Sequence, residues 1–131
     1  MRRTIPRSLL AFLIVEVAAF AGASLTHSGV LMQGYEHTQA GIAEAVIAAA
    51  LATAIVVGLL RPGTSRVLGL SAQGFALLGT SVGVFSMVRG FGPRSAADLA
   101  FHVGIATILV AGLVVAFRLP DRDETRPDGA R

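Results

Sequence analysis

The sequence predicts an all-α integral membrane protein: an antiparallel four-helix transmembrane bundle with both termini in the cytoplasm. Composition is the first observation, because 53% of the 131 residues are hydrophobic and 15% are charged, with a mean hydropathy of +0.70. Those values are too apolar for a soluble domain of this size. The second observation is four apolar runs, each long enough to cross a bilayer as a helix. The third is an uneven distribution of arginine.

The first predicted span covers residues 8–26 and follows a basic start. At 1.5 Å per residue the run gives roughly 28 Å of helix, which spans a hydrocarbon core. The same segment also fits a cleavable signal peptide, with small residues at 21–23 as the cleavage site. Glu16 argues against that alternative, because a carboxylate is a poor component of an export signal. We therefore expect the segment to remain as a span.

The second span is predicted at residues 41–60, after a connection at 27–40 that contains no basic residue. Gly29 and Gly34 are expected to break or bend this connection. If its last residues are helical, Gln33, His37, Ala40 and Glu44 share one helix face.

The third span is predicted at residues 67–88, after a turn that contains Pro62 and Gly63. It carries Gly79 and Gly83 four residues apart, a spacing that lets a neighbouring helix approach closely. Gln73 in this span is expected to donate an interhelical hydrogen bond.

The fourth span is predicted at residues 96–117. Ser95 with Asp98 three residues later has the spacing of a helix N-cap. Ala100 and Gly104 supply a second surface for close helix packing. The four spans form one domain, 1–118, and the polar segment 119–131 is expected to be a disordered cytoplasmic tail.

Orientation follows from the arginines, because basic residues concentrate on the cytoplasmic side of membrane proteins. In the predicted topology the connection at 89–95 carries two arginines, Arg89 and Arg94, and faces outward. The other nine lie on the opposite side: Arg2, Arg3, Arg7, Arg61, Arg66, Arg118, Arg122, Arg126 and Arg131. All basic residues are arginine and the chain is rich in Ala and Gly, which is typical of GC-rich bacterial genomes. We therefore expect a bacterial inner (plasma) membrane protein.

Glu16 is the most deeply placed charged residue, roughly 12 Å into the first span. An ionised carboxylate there costs on the order of 3 kcal/mol on insertion scales, so it should not face lipid. One hypothesis makes Glu16, and with it Glu44 in the second span, a proton-binding or cation-binding group. The alternative is a protonated side chain that is hydrogen-bonded to a neighbouring helix.

The remaining chemistry collects at the outer side. Glu44 and His102 lie at similar depths in the second and fourth spans and are the best candidate pair. Without cysteine, a metal or haem would depend on imidazole and carboxylate. The outer set is His27, His37, Glu44 and His102, with Asp98 as a carboxylate that could orient His102. The alternative is that these side chains cap helices and meet water or headgroups.

No motif for nucleotide binding, nucleophilic catalysis or nucleic-acid recognition is present. We expect a small non-enzymatic accessory subunit or a small transport or binding module, with its polar His/Glu site open to the outer side. The alternative is a membrane-embedded enzyme that binds a divalent metal or haem at the outer cluster. Expected partners are the lipid bilayer and either further copies of the chain or a larger membrane complex.

The topology can be tested with cysteine labelling in intact cells. Gly63→Cys should resist an impermeant thiol reagent, and Gly92→Cys should react, because the arginine distribution places residue 63 inside and residue 92 outside. The opposite labelling pattern would reverse the predicted orientation.

Overall fold

The computed structural model describes residues 4–120, and these form four long helices. Helix α1 covers Arg7–His27 and α2 covers Thr38–Leu60. Helix α3 covers Ser65–Arg89, after a single 3-10 turn at Pro62–Thr64, and α4 covers Ala96–Phe117. Each long helix contains one of the predicted spans. The predicted tail falls, from residue 121 onward, outside the described residues.

All four helices are long and apolar enough to cross a membrane, with windows of mean hydropathy between 1.5 and 2.4. Large apolar side chains also cover the outside of the bundle, among them Ile42, Leu78 and Val103, each more than half exposed. A soluble protein rarely exposes so many large apolar side chains. Four candidate membrane-spanning helices indicate a multi-pass membrane protein.

The helices pack as a ring in which α1 and α3 each contact both α2 and α4. The α1–α3 diagonal has a short contact, and α2 and α4 stand on the other diagonal. The leucines Leu9, Leu13, Leu51 and Leu109 are completely buried between them. The core is therefore apolar along much of its length. The buried polar residues within it are Glu16, His27, Glu44, Ser65, Gln73, Thr80 and Asp98.

Glycine ends or turns the chain in the connections. Gly29, Gly34 and Gly90 all have positive φ, a backbone region that favours glycine. Gly29 and Gly34 turn the chain between α1 and α2, in the segment where the sequence predicts a break. Gly90 terminates α3 with its amide bonded to the Met87 carbonyl. In the connection between α1 and α2 the helix begins only at Thr38. The condition for a shared helix face is therefore met at Ala40 and Glu44 and not at Gln33.

The two small-residue pairs behave differently. At Gly79 an added β carbon would come within 2.7 Å of Ile47 Cδ1, and at Gly83 within 2.8 Å of His102 Nε2. These glycines thus admit side chains of neighbouring helices. A β carbon added at Gly104 would meet no other side chain or helix within 4 Å, and Ala100 is exposed. That second surface faces away from the described part of this chain.

Candidate functional site

The polar site lies at the histidine end, the end of the bundle where the connections 28–37 and 90–95 are found. Close packing of α1 against α2 builds it. The Ser24 hydroxyl donates to the Gly41 carbonyl at 2.8 Å, and the His37 amide donates to the His27 carbonyl at 2.8 Å. A β carbon on Gly41 would contact His27 Cβ at 3.4 Å. This approach brings the His27 ring to Glu44, one helical turn beyond Gly41.

His27 is the centre of the site because both of its ring nitrogens face a carboxylate. Its Nδ1 lies 2.7 Å from Glu44 Oε2, and its Nε2 lies 3.4 Å from Asp98 Oδ1. All three residues are buried, with exposures of 5%, 7% and 7% for His27, Glu44 and Asp98. A carboxylate–imidazole–carboxylate chain therefore joins α1, α2 and α4.

Asp98 is held in place by the start of its own helix. Ser95 and Asp98 form a reciprocal capping box, in which each side chain accepts a hydrogen bond from the other residue's backbone amide. The predicted N-cap is thus present. The capping bonds use Asp98 Oδ2, which leaves Oδ1 directed at His27. Capping and histidine binding are therefore compatible in one carboxylate.

His102 stands beside this chain and is oriented by the backbone. Its Nδ1 lies 2.7 Å from the Asp98 carbonyl oxygen, which can only accept, so Nδ1 carries a proton. In the neutral ring Nε2 is then an acceptor, and it packs against Gly83. The sequence-based hypothesis assigned this orienting role to the Asp98 carboxylate, whereas the structure assigns it to the Asp98 backbone.

His37 and Glu36 belong to the connection and to the start of α2. His37 Nδ1 accepts a hydrogen bond from the Ala40 amide at 3.2 Å and so caps α2. Glu36 is exposed, and its Oε2 accepts from the Gly34 amide at 2.8 Å. That bond, followed by one from its own backbone amide, holds the pKa of Glu36 below its ordinary value.

An open cavity of about 190 Å³ adjoins the site between α2, α3 and α4. Glu44 and His102, whose side chains carry hydrogen-bond acceptors, line it. Three aromatic side chains also line it: Phe20, Phe91 and Phe101. A second cavity, about 230 Å³, reaches His27 and Asp98 from the side of Met32 and Tyr35. The hydrogen-bonded chain consequently stands between two clefts.

The four side chains predicted as metal ligands do not converge on one point. His27 and Glu44 are bonded to each other, His37 caps a helix, and His102 has its Nδ1 bonded to a carbonyl. Among residues 4–120, no group of three or more potential ligands has an arrangement that could hold a metal ion. Metal or haem binding stays a prediction from the sequence.

Glu16 lies apart from this site. Gln73 donates to its two carboxyl oxygens at 2.9 and 3.2 Å, so the interhelical hydrogen bond predicted for Gln73 is present. Between Glu16 and His27 the buried face of α1 carries Phe20. The two buried acids that the sequence singles out, Glu16 and Glu44, thus belong to two different sites.

A thermal-unfolding cycle in detergent tests which histidine partners Glu44. Glu44→Gln and His27→Ala should each lower the free energy of unfolding by about 1–3 kcal/mol, because each leaves a buried partner unsatisfied. The double variant should cost less than the sum of the single ones. Glu44→Gln with His102→Ala should show weaker coupling than the His27 pair, because no hydrogen bond joins Glu44 to His102 among the described residues, although both line the same cavity. Additivity for His27, or stronger coupling for His102, would contradict the observed pairing.

Comparisons with protein-family models, with curated proteins and with solved structures find no match to this chain.

Proposed function

We propose that the protein is a small non-enzymatic module of a bacterial plasma membrane, an accessory subunit or a small transport or binding protein, that holds a cationic ligand at its outer His/Glu site. In this proposal the four helices cross the bilayer in alternating directions with both termini in the cytoplasm. The histidine end then faces outward. The arginine distribution supports that orientation.

The carboxylate–imidazole–carboxylate chain is the observation that carries the proposal. Each of its two hydrogen bonds requires one shared proton between a ring nitrogen and a carboxyl oxygen. With two protons distributed over Glu44, His27 and Asp98, the group has a net charge of −1 wherever each proton lies. In a low-dielectric environment such a charge favours a nearby cation. In the part of the chain that the structure describes, no arginine forms an ion pair with these three residues.

The adjoining cavity indicates the size and chemistry of the cation. A dry cavity of roughly 150 Å³ can hold a benzene molecule, so about 190 Å³ suits one ring with a short polar arm. Glu44 and His102 line the cavity, and the Glu44 carboxylate and the neutral His102 ring both offer acceptors to an ammonium donor. Phe20, Phe91 and Phe101 offer aromatic surface to the apolar part of the ligand or to the cation itself. A primary amine on a small apolar body matches all three features.

The alternative of a metal- or haem-binding enzyme has less support from the arrangement. The ring nitrogens of His27 already face carboxylates, and the lone pair of His37 Nδ1 accepts a backbone hydrogen bond. A ligand that donates hydrogen bonds needs no displacement of these contacts. A metal centre would require several of them to break.

Ligand binding can be measured as thermal stabilisation of the purified protein in detergent, followed by circular dichroism. Benzylammonium should stabilise the protein by about 1.4 kcal/mol at ten times its dissociation constant. Benzyl alcohol, of similar shape but uncharged, should stabilise it much less. Glu44→Gln should abolish the difference between the two compounds, because it removes the carboxylate at the cavity wall.

Glu36→Gln is the matched control, since Glu36 is an exposed glutamate of the same end that does not line the cavity. It should leave the benzylammonium effect unchanged. Equal stabilisation by the alcohol, or a full ammonium effect in Glu44→Gln, would overturn the proposal. A stoichiometric divalent metal or haem in the purified protein would favour the alternative instead.

A further inference from the structure

The polar pair Glu16 and Gln73 lies in the interior of the bundle, away from the histidine end. Both side chains are completely buried. Gln73 Nε2 on α3 donates to Glu16 Oε1 at 2.9 Å and to Oε2 at 3.2 Å on α1. These helices face each other across the diagonal and otherwise touch over a short stretch. The pair is thus a polar link across the centre of an apolar core.

Gly112 of α4 closes the third side of this pair. A β carbon at this position would overlap Gln73 Nε2 and would lie 2.7 Å from Glu16 Oε1. The two polar side chains therefore occupy the space that any larger residue of α4 would fill. Water has little room to approach the carboxyl group from that helix.

No basic side chain balances Glu16 in the described core. The buried residues of α2, α3 and α4 include no lysine or arginine. The titratable residues among them are Glu44 and Asp98. Both lie at the histidine end and face His27. On α1 itself the nearest buried residues along the same face are Leu13 and Phe20, which are apolar. The carbonyl oxygen Oε1 of Gln73 is buried and makes no hydrogen bond to the described residues. A carboxylate without a counter-ion and an amide oxygen without a donor thus lie side by side.

A single proton on Glu16 would neutralise the carboxylate and would also supply a hydrogen-bond donor to the amide oxygen of Gln73. The carboxylic O–H can donate to Gln73 Oε1 while Nε2 donates to the other carboxyl oxygen, after a rotation of the Gln73 carboxamide about its last torsion. This cyclic acid–amide pair leaves neither group charged, and it satisfies the amide oxygen. We propose that Glu16 and Gln73 form a proton-binding site in the core of the bundle, in which Glu16 is the protonated group and Gln73 Oε1 accepts its proton.

The site is independent of the proposed cation site. The proton comes from water and forms one O–H bond, with no oxidation or reduction. Its uptake draws the Gln73 carboxamide into a new orientation against Gly112. The protonation state of Glu16 is consequently tied to the contact of α1 with α3 and α4.

Infrared spectroscopy of the full chain in phosphatidylcholine vesicles at neutral pH tests the proposal. The spectrum should contain a carbonyl band of a protonated carboxylic acid that is absent from Glu16→Gln and that shifts on exchange into D₂O. Gln73→Leu should move this band to higher frequency, because the carboxyl group loses its hydrogen-bond partner. Gly112→Ala should also shift the band and lower the melting temperature.

Gly74→Ala is the control for the glycine change, because an added β carbon there meets nothing within 4 Å. It should leave the band unchanged. A spectrum in which Glu16→Gln removes no carboxylic acid band would overturn the proposal. So would a band that Gln73→Leu leaves in place, since the acid would then be protonated without Gln73 as its partner. Gln73→Leu retains Glu16, so the pairing can be tested even if Glu16→Gln does not fold.

Discussion

The two-sided contact of His27 is the interaction on which the arrangement of the histidine end depends. Its ring bonds Glu44 on α2 and faces Asp98 on α4, while the residue itself ends α1. In a bilayer an unpaired buried polar group costs several kcal/mol, because no water is present to replace the lost partner. Each of the three helices therefore contributes a side chain that serves as a hydrogen-bond partner for a buried polar group of another helix. The same contact concentrates negative charge beside a cavity, which links the stability of the fold to the proposed binding of a cation.

Polar side chains and glycines are matched in this bundle. The His102 ring occupies the space that a side chain at Gly83 would fill, and the Glu16–Gln73 pair occupies the corresponding space at Gly112. Small residues in membrane helices are commonly associated with close approach of two backbones. Gly83 and Gly112 instead make room for side chains whose polar atoms are enclosed in the bundle. The glycine of the facing helix is thus a structural component of each polar site, because a side chain at its position would collide with the polar groups.

Local features of the structure could be predicted from the sequence, and pairings across helices could not. The apolar runs marked the four helices, and the capping box of Ser95 and Asp98 was predictable because both groups lie within one turn. The sequence analysis paired Glu44 with His102 because the two residues lie at similar depths in their spans. Depth alone does not determine which helices are neighbours in the bundle. The actual partner, His27, is reached through the close α1–α2 approach at Gly41. One signal in the sequence could have indicated this pairing. His27 lies near the end of the first span and Glu44 near the start of the second, so the two residues are at the same end of consecutive helices.

A direct measurement of the His27 contacts tests the central claim best. Solid-state NMR can measure dipolar coupling between ¹⁵N-labelled histidine and ¹³C-labelled carboxylates in the full chain in bilayers, with His37→Gln and His102→Gln introduced to leave His27 as the labelled histidine. We expect coupling of His27 Nδ1 to the Glu44 carboxyl carbon at the strength of a direct hydrogen bond, and weaker coupling of Nε2 to the Asp98 carboxyl carbon. Loss of the Nδ1 coupling in Glu44→Gln, with the Asp98 coupling retained, would identify the partner. A His27 ring with no coupling to either carboxylate would contradict the account.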